Sequence, residues 1–300
     1  HLRVAMGSIL GVNSDALTSH GLSSIMESTL TGALQLALRD EETNPEIAII
    51  AMGRFGGQET GFGSDADVMF VYRDTTEITG NEATRRAERI VARIKEILDD
   101  HRLPFDLDTD LRPEGKNGVV VRSLESYAAY YTRWSLSWEA QALLRARPAI
   151  GNGDLMGEFT KVIEPVRYPV AITEDDLREI RRIKARVEKE RLPQGADPAR
   201  HLKLGRGSLS DVEWLVQLIQ LQHAHAHPEL KTTSTQLAMS AAVDASFVSR
   251  TDADVLMAAW NLASRIRSAC TLWGVSTSDM LPLDRGDLDG VARLLGYPPN

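Results

Sequence analysis

Helical and strand-like periodicities alternate in the first half of the chain. Apolar residues at spacings of three and four predict a helix over about 15–40, and a second helix carries an apolar stripe between residues 87 and 98. Short apolar or alternating runs predict strands at 47–51, 65–72, 105–111 and 119–121. From the strand at 65–72 onward, the order strand, helix, strand and strand indicates a small mixed sheet that is backed by helices.

The second half of the chain is predicted to consist of helices joined by loops. Thr173 and Asp176 have the spacing of a capping box at the start of a long charged helix that ends near Glu190. Further helices are predicted at about 209–226, 234–244, 251–273 and 286–296. The fold class predicted for the whole chain is therefore α+β. We expect a sheet-containing domain at 1–152, followed by an all-α bundle at 153–300.

Composition narrows the possible partners and compartments. The 300 residues include 43% hydrophobic and 25% charged residues, which is typical of a globular protein, and the net charge of -8 argues against nucleic acid as a partner. No apolar run approaches the ~20 residues that cross a membrane. Cys270 is the single cysteine, so an internal disulfide is impossible and a cytoplasmic location is expected. Because the chain starts at His1 and ends just after an amphipathic stretch, we expect a fragment of a longer protein.

The most informative motif is Gly63-Ser64-Asp65-Ala66-Asp67, which leads into an apolar strand. Two carboxylates two positions apart on a strand point to the same face, an arrangement that suits a divalent cation better than a core. Upstream glycines let the main chain approach a phosphate closely; they are Gly53, Gly56 and Gly57. The motif therefore predicts a Mg²⁺ and nucleoside-triphosphate site, although surface carboxylates at a strand start are the plain alternative.

A third carboxylate is expected from a neighbouring strand, because transfer of a nucleotidyl group on two metal ions needs two or three of them. Asp108 is the best candidate, and it also suits the role of proton acceptor. Asp106 and Asp110 share its face, so spacing alone leaves the choice among the three open. Acidic alternation of this kind also occurs on solvated sheet edges, where it protects against aggregation.

Four sequence blocks together resemble the glutamine synthetase adenylyltransferase family, which belongs to the DNA polymerase β-like nucleotidyltransferase superfamily. They follow the family's order along most of the chain and lie at 51–70, 108–118, 138–147 and 203–214. The resemblance implies a polymerase β-like nucleotidyltransferase domain, ATP as the substrate and Mg²⁺ as the cofactor. Ser208 is a departure, because the family usually has glycine at this position.

The resemblance also implies roles for individual residues. Asp65, Asp67 and Asp108 match the family's Mg²⁺ carboxylates, and Asp110 stands where some members have arginine. We expect the nucleotide to be bound by Gly53, Gly56, Gly57, Gly63, Ser64, Arg112 and Lys203. Arg145 and Arg147 are predicted on a helix that follows Glu139, and their roles stay open.

Enzymes of this family contain two similar halves, one that adds AMP to a tyrosine of glutamine synthetase and one that removes it by phosphorolysis. The block around Trp138 and the segment 223–230 resemble the AMP-adding half. The resemblance therefore implies adenylyl transfer to glutamine synthetase with release of pyrophosphate, in the regulation of nitrogen assimilation. A PII-type signal-transduction protein is a second partner that it suggests.

Three alternatives compete with this function. The same fold performs the removal reaction if the chain is the other half, and a non-catalytic nucleotide-sensing module is a further possibility. An intact set of carboxylates argues against the module, because a domain that only docks needs no metal ligands. A nucleic-acid nucleotidyltransferase is disfavoured by the acidic charge balance.

Overall fold

The computed structural model describes residues 1–40, 42–102, 105–134, 137–274 and 279–298. The chain divides into two compact units. Residues 23–58 and 65–169 form what we call the sheet unit, and residues 1–22, 59–64 and 170–300 form the helical unit. The predicted domains at 1–152 and 153–300 are continuous stretches of sequence, and their boundary stays a prediction.

The sheet unit contains a five-stranded mixed sheet in the described part of the chain. Its strands are β1 (Glu46–Ala51), β2 (Ala66–Arg73), β3 (Leu107–Asp108), β4 (Val121–Ser123) and β5 (Arg147–Gly151). The order is β3-β2-β1-β5, and β4 also pairs with β2. β1 is antiparallel to β2 and to β5, whereas β3 and β4 are both parallel to β2. The predicted small mixed sheet and the α+β class are thus confirmed.

Helices cover both faces of this sheet, because alternate residues of its strands are apolar on each side. The helices that contribute to the sheet unit are α2 (Asp15–Arg39), α3 (Gly53–Gly56), α4 (Gly80–Leu98), α5 (Leu124–Trp134), α6 (Ser137–Leu143) and α7 (Gly153–Arg167). One face buries Ile49 and Phe70 with residues of α2 and α4. The other buries Ile50 and Met69 with residues of α5, α6 and α7, including Phe159. The strand β2, at whose start two acidic residues lie, is therefore packed on both faces.

The helical unit comprises α1 (Leu2–Ile9), the first residues of α2, α8 (Glu174–Glu190), α9 (Leu209–His223), α10 (Thr235–Asp244), α11 (Arg250–Trp273) and α12 (Arg285–Leu294). A core cluster joins α9, α10 and α11 around Val216, Met239 and Trp260. The predicted capping box is present, since the Thr173 hydroxyl accepts from the Asp176 N–H and the Asp176 carboxylate accepts from the Thr173 N–H. The described helices include none that is long and apolar enough to span a membrane.

Three predicted elements differ from the structure. The strand predicted at 105–111 is only two residues long, because the Asp110 N–H donates to the Asp108 carboxylate (2.7 Å) and the chain turns. The strand predicted at 119–121 is displaced to 121–123. The prediction of a helix through Arg145 and Arg147 was wrong: α6 ends at Leu143 and Arg147 begins β5. Pro148 disfavours a helical conformation at Arg147, which explains the difference.

Candidate functional site

Three carboxylates meet where β2 begins and β3 ends. Asp65 directly precedes β2, Asp67 is its second residue, and Asp108 is the last residue of β3, paired in register with Asp67. One carboxylate oxygen from each residue lies within 4.8 Å of the other two. All three residues are half-buried. Like charges this close repel one another, and an all-oxygen donor set is what Mg²⁺ prefers, so these residues fit a divalent cation.

The structure also distinguishes Asp106, Asp108 and Asp110, three acidic residues that spacing in the sequence could not tell apart. Within the described residues, the carboxylate cluster includes Asp108 but neither Asp106 nor Asp110. Asp106 is exposed, and its carbonyl accepts from the Ala66 N–H at 2.8 Å. Asp110 lies beyond the turn, where its carboxylate is 3.3 Å from the Lys116 ammonium group. Pairing between β2 and β3 therefore brings Asp108 into the cluster, and its role as a ligand stays a prediction.

The glycine-rich turn after β1 lies directly against one of these carboxylates. The Met52 N–H donates to the Asp67 carbonyl at 2.8 Å, and Gly53 follows with a φ of +51°. A β-carbon on residue 53 would be 2.3 Å from Asp67 Oδ2. Glycine at this position is required both by the left-handed backbone and by the approach of the carboxylate.

The next two glycines of the turn are buried and use their amides inside it. The Gly56 N–H donates to the Met52 carbonyl, and the Gly57 N–H donates to the Gly53 carbonyl. A β-carbon on Gly56 would be 1.8 Å from the carbonyl oxygen of Arg145. The structure thus gives Gly56 a packing role, and binding of phosphate by Gly53, Gly56 and Gly57 stays a prediction.

Two arginines, whose roles the sequence left open, support the same turn. Arg145 Nε donates to the Gly53 carbonyl at 2.9 Å, and Arg147 Nε donates to the Gly56 carbonyl at 3.0 Å. Arg147 also pairs with Glu27 at 2.6 Å. Guanidinium groups suit this task because they donate several hydrogen bonds in fixed directions. A short loop at 144–146 brings them there, and no periodic signal in the sequence marks it.

Arg112, predicted to bind the nucleotide, is buried within the loop that follows Asp108. Its guanidinium donates to the carbonyls of Thr109 (2.7 Å), Lys116 (3.0 Å) and Gly118 (2.9 Å). The loop is thereby closed around one side chain. The observed contacts of Arg112 hold the segment that begins at the third carboxylate, and its contact with a nucleotide stays a prediction.

The same loop is attached to α6 through Glu139, a buried residue whose role was not indicated by any pattern in the sequence. Glu139 Oε1 accepts from the Tyr130 hydroxyl at 2.7 Å and from the Glu114 N–H at 3.3 Å. Burial and this hydrogen bond raise the pKa of Tyr130 to about 12. Tyr130 therefore acts here as a neutral hydrogen-bond donor.

The remaining predicted site residues belong to the helical unit. Gly63 has a φ of +72°, and Ser64 Oγ accepts from the Gly61 N–H at 3.0 Å. Lys203 is exposed, and its N–H donates to Nδ1 of His201. A sequence motif that is continuous from 53 to 67 is thus divided between two compact units in the structure.

Comparison with known proteins places the chain in a family. Residues 1–162 match the family model described as glutamate–ammonia ligase adenylyltransferase. The chain belongs to that family. Residues 179–300 match a second model, described as GlnD PII-uridylyltransferase.

Curated relatives match nearly the whole chain. A protein of Leifsonia xyli is 59% identical over 99% of the chain, one of Streptomyces avermitilis is 47% identical over 94%, and one of Mycobacterium tuberculosis is 43% identical over 98%. Each is named a bifunctional glutamine synthetase adenylyltransferase/adenylyl-removing enzyme. The chain spans 30%, 29% and 30% of the length of these relatives, respectively.

Proposed function

We propose that this chain transfers AMP from ATP to a tyrosine hydroxyl of glutamine synthetase and releases pyrophosphate. The observation that carries the proposal is the convergence of Asp65, Asp67 and Asp108 beside a glycine-rich turn. It occurs in a chain whose relatives are named bifunctional glutamine synthetase adenylyltransferase/adenylyl-removing enzymes. The small mixed sheet is consistent with a polymerase β-like nucleotidyltransferase domain, and the helices of the second half with a bundle domain.

The carboxylate cluster is proposed to hold Mg²⁺ in a two-metal site. A metal ion bound there would neutralise charge on the phosphoryl group that is transferred, and it would lower the pKa of a coordinated hydroxyl. Asp65 and Asp67 provide ligands from one strand, and Asp108 provides one from the next. Asp108 is also the proposed acceptor of the tyrosine proton. Of the candidates Asp106, Asp108 and Asp110, it is the one that joins the described carboxylate cluster.

The residues proposed to bind the nucleotide lie before Asp65 and after Asp108 in the sequence. Gly53, Gly56, Gly57, Gly63 and Ser64 are proposed to place the main chain against the phosphates, and Arg112 and Lys203 to supply positive charge. A glycine-rich turn lets the main chain approach phosphate oxygens closely because no side chain intervenes. The Gly56 and Gly57 N–H groups already donate inside the turn, so these two glycines would contribute through their small size rather than by donating to phosphate.

The removal reaction is the second candidate, because the relatives are named for both activities and the chain spans less than a third of their length. In that case phosphate would attack AMP-tyrosine and release ADP.

The resemblance of the second half to a PII-uridylyltransferase model supports a PII-type protein as a regulatory partner. With a single, buried cysteine, the chain is proposed to act in the cytoplasm.

Incubation with α-labelled ATP, Mg²⁺ and unmodified glutamine synthetase tests the proposal. Transfer of label to glutamine synthetase with release of pyrophosphate supports it, and the Asp65→Asn and Asp67→Asn variants should lose this activity while keeping their fold by circular dichroism. Release of ADP from AMP-modified glutamine synthetase and phosphate would support the removal reaction instead. Labelling that survives both substitutions would refute the assignment of the site.

A further inference from the structure

The segment 59–64 links the glycine-rich turn to Asp65 in sequence, yet it belongs to the helical unit. Its neighbours on both sides, Gln58 and Asp65, belong to the sheet unit. Six residues that would be a free loop by sequence are instead attached to three helices of the helical unit. Glu59, Thr60 and Phe62 make these attachments.

Glu59 is the first anchor, and it is 6% exposed. Its Oε1 accepts from the Thr235 N–H at 2.7 Å, the Ser234 hydroxyl at 3.0 Å and the Gln236 N–H at 3.4 Å. These donors form the N-terminus of α10, where free N–H groups and the helix dipole stabilise a negative charge. A buried carboxylate with three donors is fixed in position.

Phe62 is the second anchor, and its main chain is held in both directions by α11. Its N–H donates to Ser268 Oγ at 3.4 Å, and its carbonyl accepts from Thr271 Oγ1 at 3.2 Å. Ser268 and Thr271 are three residues apart and so share a face of the helix. Thr60 Oγ1 also donates to the Ser19 carbonyl of α2 at 3.3 Å. Main-chain bonds of this kind fix where the segment runs, whatever side chain residue 62 carries.

We propose that residues 59–64 are a positioning segment, through which α10 and α11 set the placement of the main chain at Gly63 and Ser64. Gly63 directly follows the Phe62 anchor, and Ser64 comes next. A change in α11 therefore reaches these two residues through one or two peptide bonds, and a change in α10 reaches them through the segment that begins at Glu59. The inference rests on the proposed function, because it assigns Gly63 and Ser64 to the nucleotide site.

The test measures the affinity of the whole chain for ATP with Mg²⁺ by equilibrium dialysis, beside its AMP transfer to glutamine synthetase. Glu59→Ala removes the three hydrogen bonds that anchor the segment to α10, and it should weaken ATP binding about tenfold, the order of magnitude for the loss of one phosphate contact from the main chain at Gly63 or Ser64. Glu59→Gln should recover part of the loss, because an amide oxygen still accepts. Combined Ser268→Ala and Thr271→Val substitutions leave Glu59 in place, and should also weaken binding.

Thr173→Ala is the matched control, because it removes an N-cap of α8 in the same unit without touching the segment. It should lower the melting temperature and leave ATP affinity unchanged. If Glu59→Ala and the Ser268/Thr271 double variant lower the melting temperature with no change in ATP affinity, the segment has a purely structural role and the inference is wrong. A parent chain that binds ATP but labels no glutamine synthetase refutes the proposed function alone, whereas normal affinity in both segment variants refutes this inference alone.

Discussion

Gly53 and Asp67 are so close that any β-carbon at position 53 would meet the carboxylate of residue 67 at 2.3 Å. This contact connects the glycine-rich turn directly to the carboxylate cluster. It explains why a glycine with a φ of +51° stands at this position. Position 53 should therefore tolerate no side chain without a cost at Asp67.

Gly53→Ala should displace the Asp67 carboxylate and strain the backbone. Misplacement of a reacting group by about 1 Å costs on the order of a hundredfold in rate, so AMP transfer should fall by that factor. Stability should fall by about 1 kcal/mol, because alanine tolerates a positive φ poorly. Gly157→Ala is the control: this glycine lies in α7, and a β-carbon added there would have nothing within 4 Å, so activity should not change. Equal activity of the two variants would contradict the prediction.

The three acids at 106, 108 and 110 should differ sharply in metal binding. Asp108→Asn should weaken Mn²⁺ binding, measured by electron paramagnetic resonance, by more than about tenfold. Loss of even a residue that only hydrogen-bonds to a metal ligand typically lowers metal affinity by about tenfold or more. Asp106→Asn and Asp110→Asn should stay within about twofold of the parent, because neither carboxylate joins the cluster. Loss of binding in Asp110→Asn with retention in Asp108→Asn would reverse the assignment.

Arg147→Lys should loosen the glycine-rich turn. Lysine retains the charge opposite Glu27 but lacks the fork that also reaches the carbonyls of Phe55 and Gly56. The free energy of unfolding in urea should fall by about 1–2 kcal/mol. Arg93→Lys, which alters an ion pair with Asp40 on an exposed surface, should change it far less, because solvent screens exposed ion pairs. A similar effect of both substitutions would mean that the turn does not depend on Arg147.

His201 should make the stability of the chain depend on pH. Its Nδ1 accepts from the N–H groups of Lys203 (3.2 Å) and Leu204 (3.0 Å), a geometry that requires this nitrogen to be unprotonated. Burial lowers the pKa of His201 below 6.5, while Asp279 opposes the shift and Arg267 adds to it. The unfolded chain therefore binds this proton at a higher pH than the folded chain does.

The contribution of His201 to stability is thus complete above pH 6.5 and is lost as the pH falls from 6.5 towards the lower pKa of the folded state. Urea unfolding at pH 8.0, 6.5 and 5.5 should show this loss. In His201→Asn, an amide oxygen can accept the same two N–H groups without titrating, so the decrease below pH 6.5 should be smaller. An identical pH profile for parent and variant would contradict the prediction.

Local signals in the sequence predicted the fold better than they predicted the site. The capping box at Thr173 and the apolar stripes of α2 and α4 depend on neighbours three or four residues away, and the structure confirms them. Alternation at 105–111 predicted too long a strand, because it could not show that the Asp110 N–H turns back to Asp108.

The contacts that position the site join residues far apart in sequence, which is why periodicity missed them. Arg145 binds the Gly53 carbonyl across 92 positions, and Glu59 binds the N-terminus of α10 across 176. The proximity of Asp65 and Asp67 to each other followed from strand periodicity, whereas the approach of Asp108 depends on the register between β2 and β3.

β2 pairs with β1 along one edge and with β3 and then β4 along the other. Its main chain can shift only by breaking hydrogen bonds to three strands, so Asp67, within this strand, and Asp65, directly before it, are attached to a well-paired stretch of main chain. Any widening of the carboxylate cluster to admit a cation and a triphosphate should therefore come from side-chain torsions of the three acids rather than from movement of β2. Amide hydrogen exchange should accordingly be slowest at Met69 and Phe70, and it should not change there when the ligand binds.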